Sequence, residues 1–488
     1  MIKKIVFAAA ALVILVLAVG ASPIVESVES AREYCIEAPE PDMEVMELSA
    51  SFDGSGTPED PYLISSTEDF NKLANLVNNG NMLYAGKSYK LTTDIDFSDV
   101  NMVPVGNSED TPFMGDFDGD GYAIKNVTLN VSGSNATQSL CVGLFPYCVN
   151  ATFKNLFVIN LDITAQSDYT IYAGGICAYF NTDSAEKDYY IENCSVNAKM
   201  YISSKLRSIV GGIVGNIDNK TADEIRVSVL NNTSDVDIFS SARSNQYVGG
   251  IIGLIDQKKL TYPVQNCFTQ GSIELDLLCE FCAGGIVGGI IGADSGVSET
   301  ETRFAFDNCF TLCDIFYTGT PKSKRYYISA LVGRSSSEGI SGNLYYADDI
   351  TLSPSSAVSL QAVEGTPVER STLLSLDFLE NSMNFDFDNT WTVKNGIPTL
   401  KIRKPMVISA YVSGEQIILN ITNPSPSYLI AAGYADDGRM INCIRSFAVG
   451  ASSTFPLSAF DGASTVKIMA FDTLYNIHPA CEAAVTGM

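Results

Sequence analysis

Apolar and polar residues alternate along the middle of the chain with a period near two, as in Leu161-Asp162-Ile163. β-Branched and aromatic residues are dense in this region, and the 3.6-residue apolar stripe of an amphipathic helix is absent. A period of two indicates strands, because successive side chains of a strand point to opposite faces. The pattern therefore predicts an all-β middle region.

Two short signatures recur within this alternation. The first has an apolar residue, two small residues and two apolar residues, often followed by glycine: VGLF (142–145), AGGICA (173–178), VGGIVG (210–215), VGGIIG (248–253), AGGIVG (283–288) and SALVG (329–333). The second has an asparagine before an alternating strand: KNVTLNV (125–131), KNLFVINLDI (154–163), ENCSVNAKMYI (192–202), NNTSDVDIF (231–239), QNCFTQGSIEL (265–275), DNCFTLCDIFY (307–317) and GNLYYADDITL (342–352).

The spacing of these copies predicts a solenoid. The glycine signature returns every few tens of residues at unequal intervals, which is typical of one turn of a repeat protein with variable loop insertions. Strands that recur in the same order must stack in parallel, about 4.8 Å apart. We therefore predict a right-handed parallel β-helix over residues 51–404. The paired glycines are expected where a turn bends sharply, where a Cβ would clash and a positive φ is often required.

Aligning the second signature by the residue after asparagine predicts a column of inward-facing side chains. Its members are Val127, Leu156, Cys194, Thr233, Cys267, Cys309 and Leu344. Small apolar residues suit a close-packed ladder, so the three cysteines are interpreted as buried hydrophobic residues rather than ligands or cross-links.

The ends of a solenoid need covering, since open edges invite aggregation. Ser66 to Asp69 fits a helix-capping box, and Phe70, Leu73, Ala74 and Val77 follow at helical spacing. We predict an amphipathic helix over 67–79 that caps the N-terminal end. The single tryptophan, Trp391, is predicted to plug the other end.

These repeats resemble the GLUG-motif family of bacterial surface proteins, in which a G-[LI]-x-G-like signature recurs along a parallel β-helix. The resemblance covers about residues 51–400 and includes the segments 52–80, 89–99 and 388–400. It implies an adhesin-like architecture and says little about the ligand. Residues 431–444 and 466–483 resemble a small β-sandwich module of secreted Gram-positive proteins, with Phe471 where that pattern has tryptophan. We predict an Ig- or fibronectin-like β-sandwich over residues 405–488.

The N-terminus predicts export. Lys3 and Lys4 precede an apolar run and small residues, so residues 1–21 are interpreted as a signal peptide, with an uncleaved anchor as the alternative. Residues 22–50 are rich in Glu, Pro and Ser and predict a flexible lead-in. The mature protein is expected to be secreted or associated with the cell surface, and monomeric.

Charge and histidine content exclude several functions. Thirty basic against 56 acidic residues give a formal charge of −26, which disfavours nucleic acid, anionic lipid and polyanionic glycans as partners. The only histidine is His478, so a two-histidine zinc motif is impossible. We expect no membrane insertion after signal cleavage and no cofactor.

The segment GDFDGDG (115–121) resembles the start of a calcium loop, with Asp116, Asp118 and Asp120 at alternating positions. Position 12 of such a loop should be a bidentate carboxylate but is Val127. We therefore interpret the segment as a turn leading into the first full repeat, and keep a weak calcium site at these three aspartates as the alternative.

The chain is predicted to be non-catalytic, an adhesin-like scaffold that binds a surface glycan or protein. The alternative is a glycan-active hydrolase that uses an acidic line late in the repeats. Paired carboxylates act as acid and base when about 5–9.5 Å apart, and stacked strands could place them so. The candidate residues for this alternative are Glu274, Asp276, Asp314 and Asp349.

Overall fold

The computed structural model describes most of the chain after residue 51. The described ranges are 52–133, 138–184, 187–219, 225–256, 260–276, 280–291, 304–318, 326–335, 342–352, 365–401, 407–422, 427–448, 452–471 and 481–486. The predicted signal peptide, the lead-in and His478 lie outside these ranges. Within the described residues, no helix is both long and apolar enough to cross a membrane.

Four parallel sheets form the body of the molecule. Sheet 1 contains β1 (Tyr62–Ile64), β2 (Ser88–Leu91), β4 (Asp116–Asp118), β9 (Thr152–Lys154), β13 (Tyr189–Glu192), β17 (Ile225–Leu230), β21 (Leu260–Gln265) and β25 (Phe304–Asp307). Sheet 2 contains β3 (Ile95–Asp96), β5 (Ala123–Lys125), β6 (Thr128–Gly133), β10 (Phe157–Ser167), β14 (Ser195–Ser204), β18 (Thr233–Ala242), β22 (Phe268–Asp276), β26 (Cys309–Thr311), β27 (Asp314–Thr318), β30 (Leu344–Ala347) and β31 (Thr366–Val368).

The other two sheets complete each turn. Sheet 3 contains β7 (Leu140–Val142), β11 (Ile171–Gly174), β15 (Ser208–Gly211), β19 (Asn245–Gly249), β23 (Glu280–Gly284) and β28 (Tyr326–Ser329). Sheet 4 contains β8 (Phe145–Val149), β12 (Cys177–Thr182), β16 (Val214–Asn219), β20 (Ile252–Asp256), β24 (Val287–Ile291) and β29 (Val332–Ser335). From β4 to β29 the chain visits sheets 1, 2, 3 and 4 in order and then repeats, so the predicted parallel β-helix is confirmed.

Helix α1 (Thr67–Asn78) covers the first turns as predicted. The Ser66 hydroxyl accepts the N–H of Asp69, and the Asp69 carboxylate accepts the N–H of Ser65 at 3.0 Å. The four predicted apolar residues are buried. The ring of Phe70 lies 5.7–6.2 Å from those of Phe97, Phe117 and Phe145 inside the coil. Helix α2 (Met82–Ala85) follows directly.

The paired glycines allow sheets 3 and 4 to meet at a very tight corner. A Cβ added to Gly212 would lie 2.0 Å from the carbonyl oxygen of Gly250, and one added to Gly250 would lie 2.1 Å from that of Gly285. The predicted clash is therefore present, but these glycines do not have a positive φ. Asparagines supply that conformation instead, at the turn between sheets 1 and 2.

This turn is built by the asparagines of the second signature. Five of them share a φ of 53–54°: Asn155, Asn193, Asn231, Asn266 and Asn308. Asparagine tolerates this left-handed conformation better than most residues. The side chains also bond across turns, from Asn193 to Asn155 at 3.2 Å and from Asn266 to Asn231 at 2.9 Å. The asparagine column thus closes each turn and links it to its neighbour.

The inward column is confirmed for the cysteines and corrected at two positions. The three cysteines of the column are fully buried and form no disulfide bond: Cys194, Cys267 and Cys309. Burial raises the pKa of the Cys194 thiol to about 12. Thr233 pairs with Ser195 rather than with Cys194, so the column member is Asn232, whose side chain accepts the N–H of Cys194 at 2.9 Å. The double asparagine of this repeat shifted the alignment by one residue.

Val127 is also buried but belongs to another column. Its neighbour Thr128 pairs with Asp162, so Val127 lies beside Leu161 and not beside Leu156. The reason is that Asn126 stacks on Asn160, whose side chain donates to it at 2.7 Å, and not on Asn155. Asn160 lies in the stretch of β10 that bulges against β14. A strand pattern read from one repeat does not count such inserted residues.

Residues 365–401, which we call the strap, lie along the outer face of sheet 2. The strap contains β31, α3 (Arg370–Leu373), α4 (Leu376–Asn381) and the antiparallel pair β32 (Trp391–Lys394) and β33 (Ile397–Leu400). Its apolar side chains form one cluster with residues of early and late turns: Ala123, Phe157, Phe268, Phe310, Leu312, Ala347, Leu373, Leu379, Met383, Phe385, Trp391 and Leu400. The predicted end plug is therefore wrong: Trp391 stacks on Phe385 at 4.5 Å at the side of the coil.

Two antiparallel sheets follow the strap. One contains β34 (Val407–Ser413), β35 (Gln416–Thr422) and β38 (Ser452–Pro456). The other contains β37 (Met440–Ala448), β36 (Ser427–Tyr434), β39 (Thr465–Phe471) and β40 (Cys481–Thr486). Ile417 and Leu419 of the first sheet share a buried cluster with Leu429 and Ile468 of the second. The predicted boundary at residue 404 falls outside the described residues.

The glycine corner gives a stability prediction. Gly212→Ala is expected to lower the free energy of unfolding by about 1–3 kcal/mol, because the new methyl group meets backbone that cannot move aside. Gly86→Ala is the matched control, since a Cβ at Gly86 has nothing within 4 Å and should change stability by less than about 0.5 kcal/mol. Denaturant unfolding of both variants measures the difference, and equal effects would contradict the proposed role of the corner.

Candidate functional site

The outer face of sheet 2 carries side chains in straight columns, because neighbouring parallel strands pair residue by residue. One column contains Asp162, Lys199, Asp237, Ser272 and Asp314. The next contains Thr164, Tyr201, Phe239, Glu274 and Phe316. The predicted acidic line is therefore divided between neighbouring columns, with a lysine and a serine within it.

An exposed aromatic pair lies at the centre of this face. The rings of Tyr201 and Phe239 stack with centroids 4.7 Å apart and planes inclined by 7°. Tyr201 is 46% exposed, so the pair presents a flat apolar surface to solvent. We call the shallow depression around it the aromatic groove. Its volume is about 300 Å³, and its lining includes Asp162, Lys199, Tyr201, Asp237, Phe239 and Glu274.

Sequence reasoning missed the aromatic pair, although a signal was present. Tyr201, Phe239 and Glu274 each follow their repeat asparagine by the same number of residues. Residues at one offset in successive copies of a solenoid stack on one another. Counting from Asn193 and Asn231 places Tyr201 next to Phe239. The alignment that takes Thr233 as the column member places Tyr201 next to Ser240 instead.

The four candidate catalytic carboxylates do not form one constellation. Glu274 lies in the aromatic groove, whereas Asp276 accepts the Ser241 hydroxyl at 3.2 Å. Asp314 accepts the N–H of Thr351 at 2.6 Å. Asp349 pairs with Arg370 of the strap through contacts of 2.8 and 2.9 Å. The hydrogen bonds from Arg370 lower the pKa of Asp349, which is the opposite of what a general acid needs.

The three candidate calcium ligands are each paired with a lysine. Asp116 contacts Lys187 at 2.9 Å and Asp118 contacts Lys154 at 3.1 Å. Asp120 contacts Lys90 at 2.8 Å, and burial raises the pKa of this carboxyl.

The surrounding loop has the geometry of a turn. Asp118 accepts the N–H of Asp120 at 2.9 Å, and Asp120 and Gly121 both have positive φ. A cation at this loop would compete with three ammonium groups. Across the described ranges, no cluster of three or more carboxylate, thiol or imidazole ligands is arranged to hold a metal.

A second cavity of about 310 Å³ lies where the strap crosses the asparagine turns. Its lining includes Asp120, Asn155, Asn193 and Lys401. Lys401 donates to the carbonyl of Asp388 at 2.7 Å, and Asp120 is already paired with Lys90. The cavity is therefore lined mainly by groups that hold the strap and the turns together.

Comparisons with known proteins leave the family open. No family model matches the chain. Halomucin of Haloquadratum walsbyi is 30% identical over 136 residues, which cover 26% of this chain and 1% of halomucin. The match thus spans about a hundredth of that relative's length. The resemblance to the GLUG-motif family remains a prediction.

One solved structure with a similar backbone is a candidate immunoglobulin A1 protease from Bacteroides ovatus. The TM-score is 0.49 and the sequence identity 22%, over 72% of this chain and 94% of that chain.

The Asp349–Arg370 pair gives a titration prediction. The Asp349 carboxyl should titrate below the ordinary value of about 3.9, and Arg370→Gln should raise its pKa by removing the hydrogen bonds and the positive charge. Because the folded pKa is lowered, the stability from this pair is present above the unfolded pKa and is lost as the pH falls through the folded one. NMR titration of the carboxyl groups measures the pKa of Asp349. Arg439→Gln, which removes another exposed ion pair, is the control. A raised pKa at Asp349 would restore it as a candidate acid.

Proposed function

We propose that this protein is an exported, non-catalytic, adhesin-like scaffold whose aromatic groove binds a neutral surface glycan. The observation that carries the proposal is the exposed Tyr201–Phe239 stack within a row of polar side chains. Large aromatic side chains left in solvent on an ordered sheet commonly mark a binding surface. Export rests on the predicted signal peptide.

The chemistry of the groove suits a sugar better than a protein helix or strand. The flat ring surface can contact the apolar face of a sugar ring, while Asp237 and Glu274 can accept bonds from hydroxyl groups. Lys199 and Ser272 supply donors beside them, although the Ser272 hydroxyl now donates to Asp237 at 2.9 Å. A ligand site with an apolar platform and a few placed polar groups is the usual arrangement for small polar molecules.

Charge narrows the ligand class further. Asp162, Asp237 and Glu274 surround the single cation of Lys199 within the groove, and the whole chain carries a charge of −26. The carboxylates of the groove and the net negative charge of the chain both repel an acidic polysaccharide. Neutral or amino sugars are therefore the favoured partners. We also propose that the protein acts as a monomer, without nucleic acid and without membrane insertion.

The enzyme hypothesis is the second candidate, because Glu274 is an open carboxylate next to the aromatic pair. Hydrolysis needs a second carboxyl group about 5–9.5 Å away, in a protonation state different from the first. Asp276 and Asp349 already have protein partners, as described above. The binding role therefore has the stronger support.

Substitution of the aromatic pair tests the binding role. Tyr201→Ala and Phe239→Ala should each weaken binding to a neutral oligosaccharide selected from a glycan array by about tenfold or more, since each removes half of the platform. Tyr411→Ala is the matched control, because Tyr411 is 47% exposed outside the groove. Binding that survives both groove substitutions would refute this location.

A reducing-sugar assay on the same oligosaccharides separates binding from hydrolysis. We expect no release of sugar by the native chain. Release that disappears in Glu274→Gln or Asp314→Ala, with binding retained, would favour the hydrolase instead.

A further inference from the structure

A second polar site lies where the outer faces of sheets 3 and 4 meet, far along the turn from the aromatic groove. The glycine corner brings these faces together, so that the rings of Tyr172 and Tyr179 lie 4.9 Å apart. Ile209, Tyr247 and Leu254 form a small buried cluster deeper in the same angle. We call this angle between the two sheets the corner cleft.

Four oxygen-bearing side chains stand on the sheet 4 side of the corner cleft. Asn181, Asp218 and Asp256 are register partners on three successive strands. Asn216 lies two residues before Asp218 and therefore on the same face of its strand. Asn181, Asp218 and Asp256 thus form one column, and Asn216 lies in the neighbouring column between Tyr179 and Leu254.

The two asparagines are buried with an unsatisfied oxygen. Asn181 is 6% exposed and Asn216 is 3% exposed. The Oδ1 atom of each is inaccessible and accepts no hydrogen bond from any group in the described part of the chain. A buried acceptor without a donor is destabilising, so this pair of oxygens indicates a missing partner.

The two aspartates add charge beside these oxygens. Asp218 accepts the hydroxyl of Tyr179. Asp256 is the exposed last residue of β20 and lies in register with Asp218. Carboxylates in register on neighbouring strands, about 4.8 Å apart at the backbone, repel each other unless a positive charge lies between them.

We propose that the corner cleft binds a calcium ion through Asp218, Asp256, Asn181 and Asn216. Hard divalent cations take carboxylate and carboxamide oxygens as ligands. One such ion would neutralise the carboxylate pair and occupy both unsatisfied oxygens. The ligand set has no imidazole or thiolate, which zinc prefers. Calcium accepts irregular oxygen geometry, whereas magnesium demands a near-ideal octahedron.

The positive charge of Arg207 repels a calcium ion in the corner cleft and should therefore weaken its binding. Its guanidinium lies 5.7 Å from the ring centroid of Tyr247, and its positive charge attracts the carboxylate of Asp256. The Glu280–Arg334 pair, at 3.4 Å on later strands of the same two sheets, adds no net charge. Two carboxylates against one guanidinium leave a charge of −1, so binding should resemble that of weak extracellular calcium modules, with Kd about 10⁻⁴–10⁻³ M.

Calorimetric titration of the full chain with calcium chloride tests this proposal. Asp218→Asn and Asp256→Asn should each weaken binding by about tenfold or more, because a charged ligand is lost. Arg207→Gln should tighten it, because a repelling charge is removed. Asp116→Asn, in the lysine-paired loop, is the matched control and should leave binding unchanged. The melting temperature of each variant in chelator shows whether the fold is retained.

The melting temperature supplies an independent readout. An ion that binds only the folded chain should raise its melting temperature as the calcium concentration increases. Absence of heat and of any rise in melting temperature up to about 10 mM calcium would overturn the proposal. Loss of binding in Asp116→Asn alone would move the site to the loop, and an equal response to magnesium would refute the choice of ion. None of these outcomes depends on glycan binding.

Discussion

Residue-by-residue pairing between successive turns is the constraint on which the rest of this structure depends. Once two parallel strands are in register, each side chain lies about 4.8 Å from its counterpart in the next turn. Asparagines with positive φ close the turn between sheets 1 and 2, and paired glycines allow the backbones of sheets 3 and 4 to touch. Both devices act on the backbone, so they hold the register while the outward side chains remain free to vary.

The interior shows how this pairing is used for stability. Fully buried cysteines form one column, and hydroxyl groups form another. Thr269 donates to the carbonyl of Gly285 at 2.9 Å and bonds the Thr311 hydroxyl at 2.7 Å. These bonds connect sheet 2 to the glycine corner across the core. They satisfy polar groups that would otherwise be costly to bury.

The same pairing between successive turns divides the exterior into columns that the strap covers and columns that stay open. The strap packs against Phe157, Phe268 and Phe310. These rings belong to one outward column, in which Ser195 and Thr233 lie between Phe157 and Phe268. The columns farther along the strands stay open and carry the Tyr201–Phe239 stack. The corner cleft is a third outward surface, and there the bend between two sheets brings polar groups together. One repeated backbone thus presents several chemically different faces.

The sequence by itself determined the elements that depend on local pattern. The period of two, the recurring glycines and the capping residues of α1 predicted the coil, its starting helix and its buried cysteines, because each signal lies within one short segment. Which side chains meet on the outer faces depended on tertiary structure. The contact of Asn126 with Asn160 and the double asparagine at 231–232 shift the alignment of columns, and a strap distant in sequence buries Trp391 at the side of the coil. The lysine partners of Asp116, Asp118 and Asp120 come from three other segments. Such contacts form between turns, so only the register of the folded chain decides which residues meet.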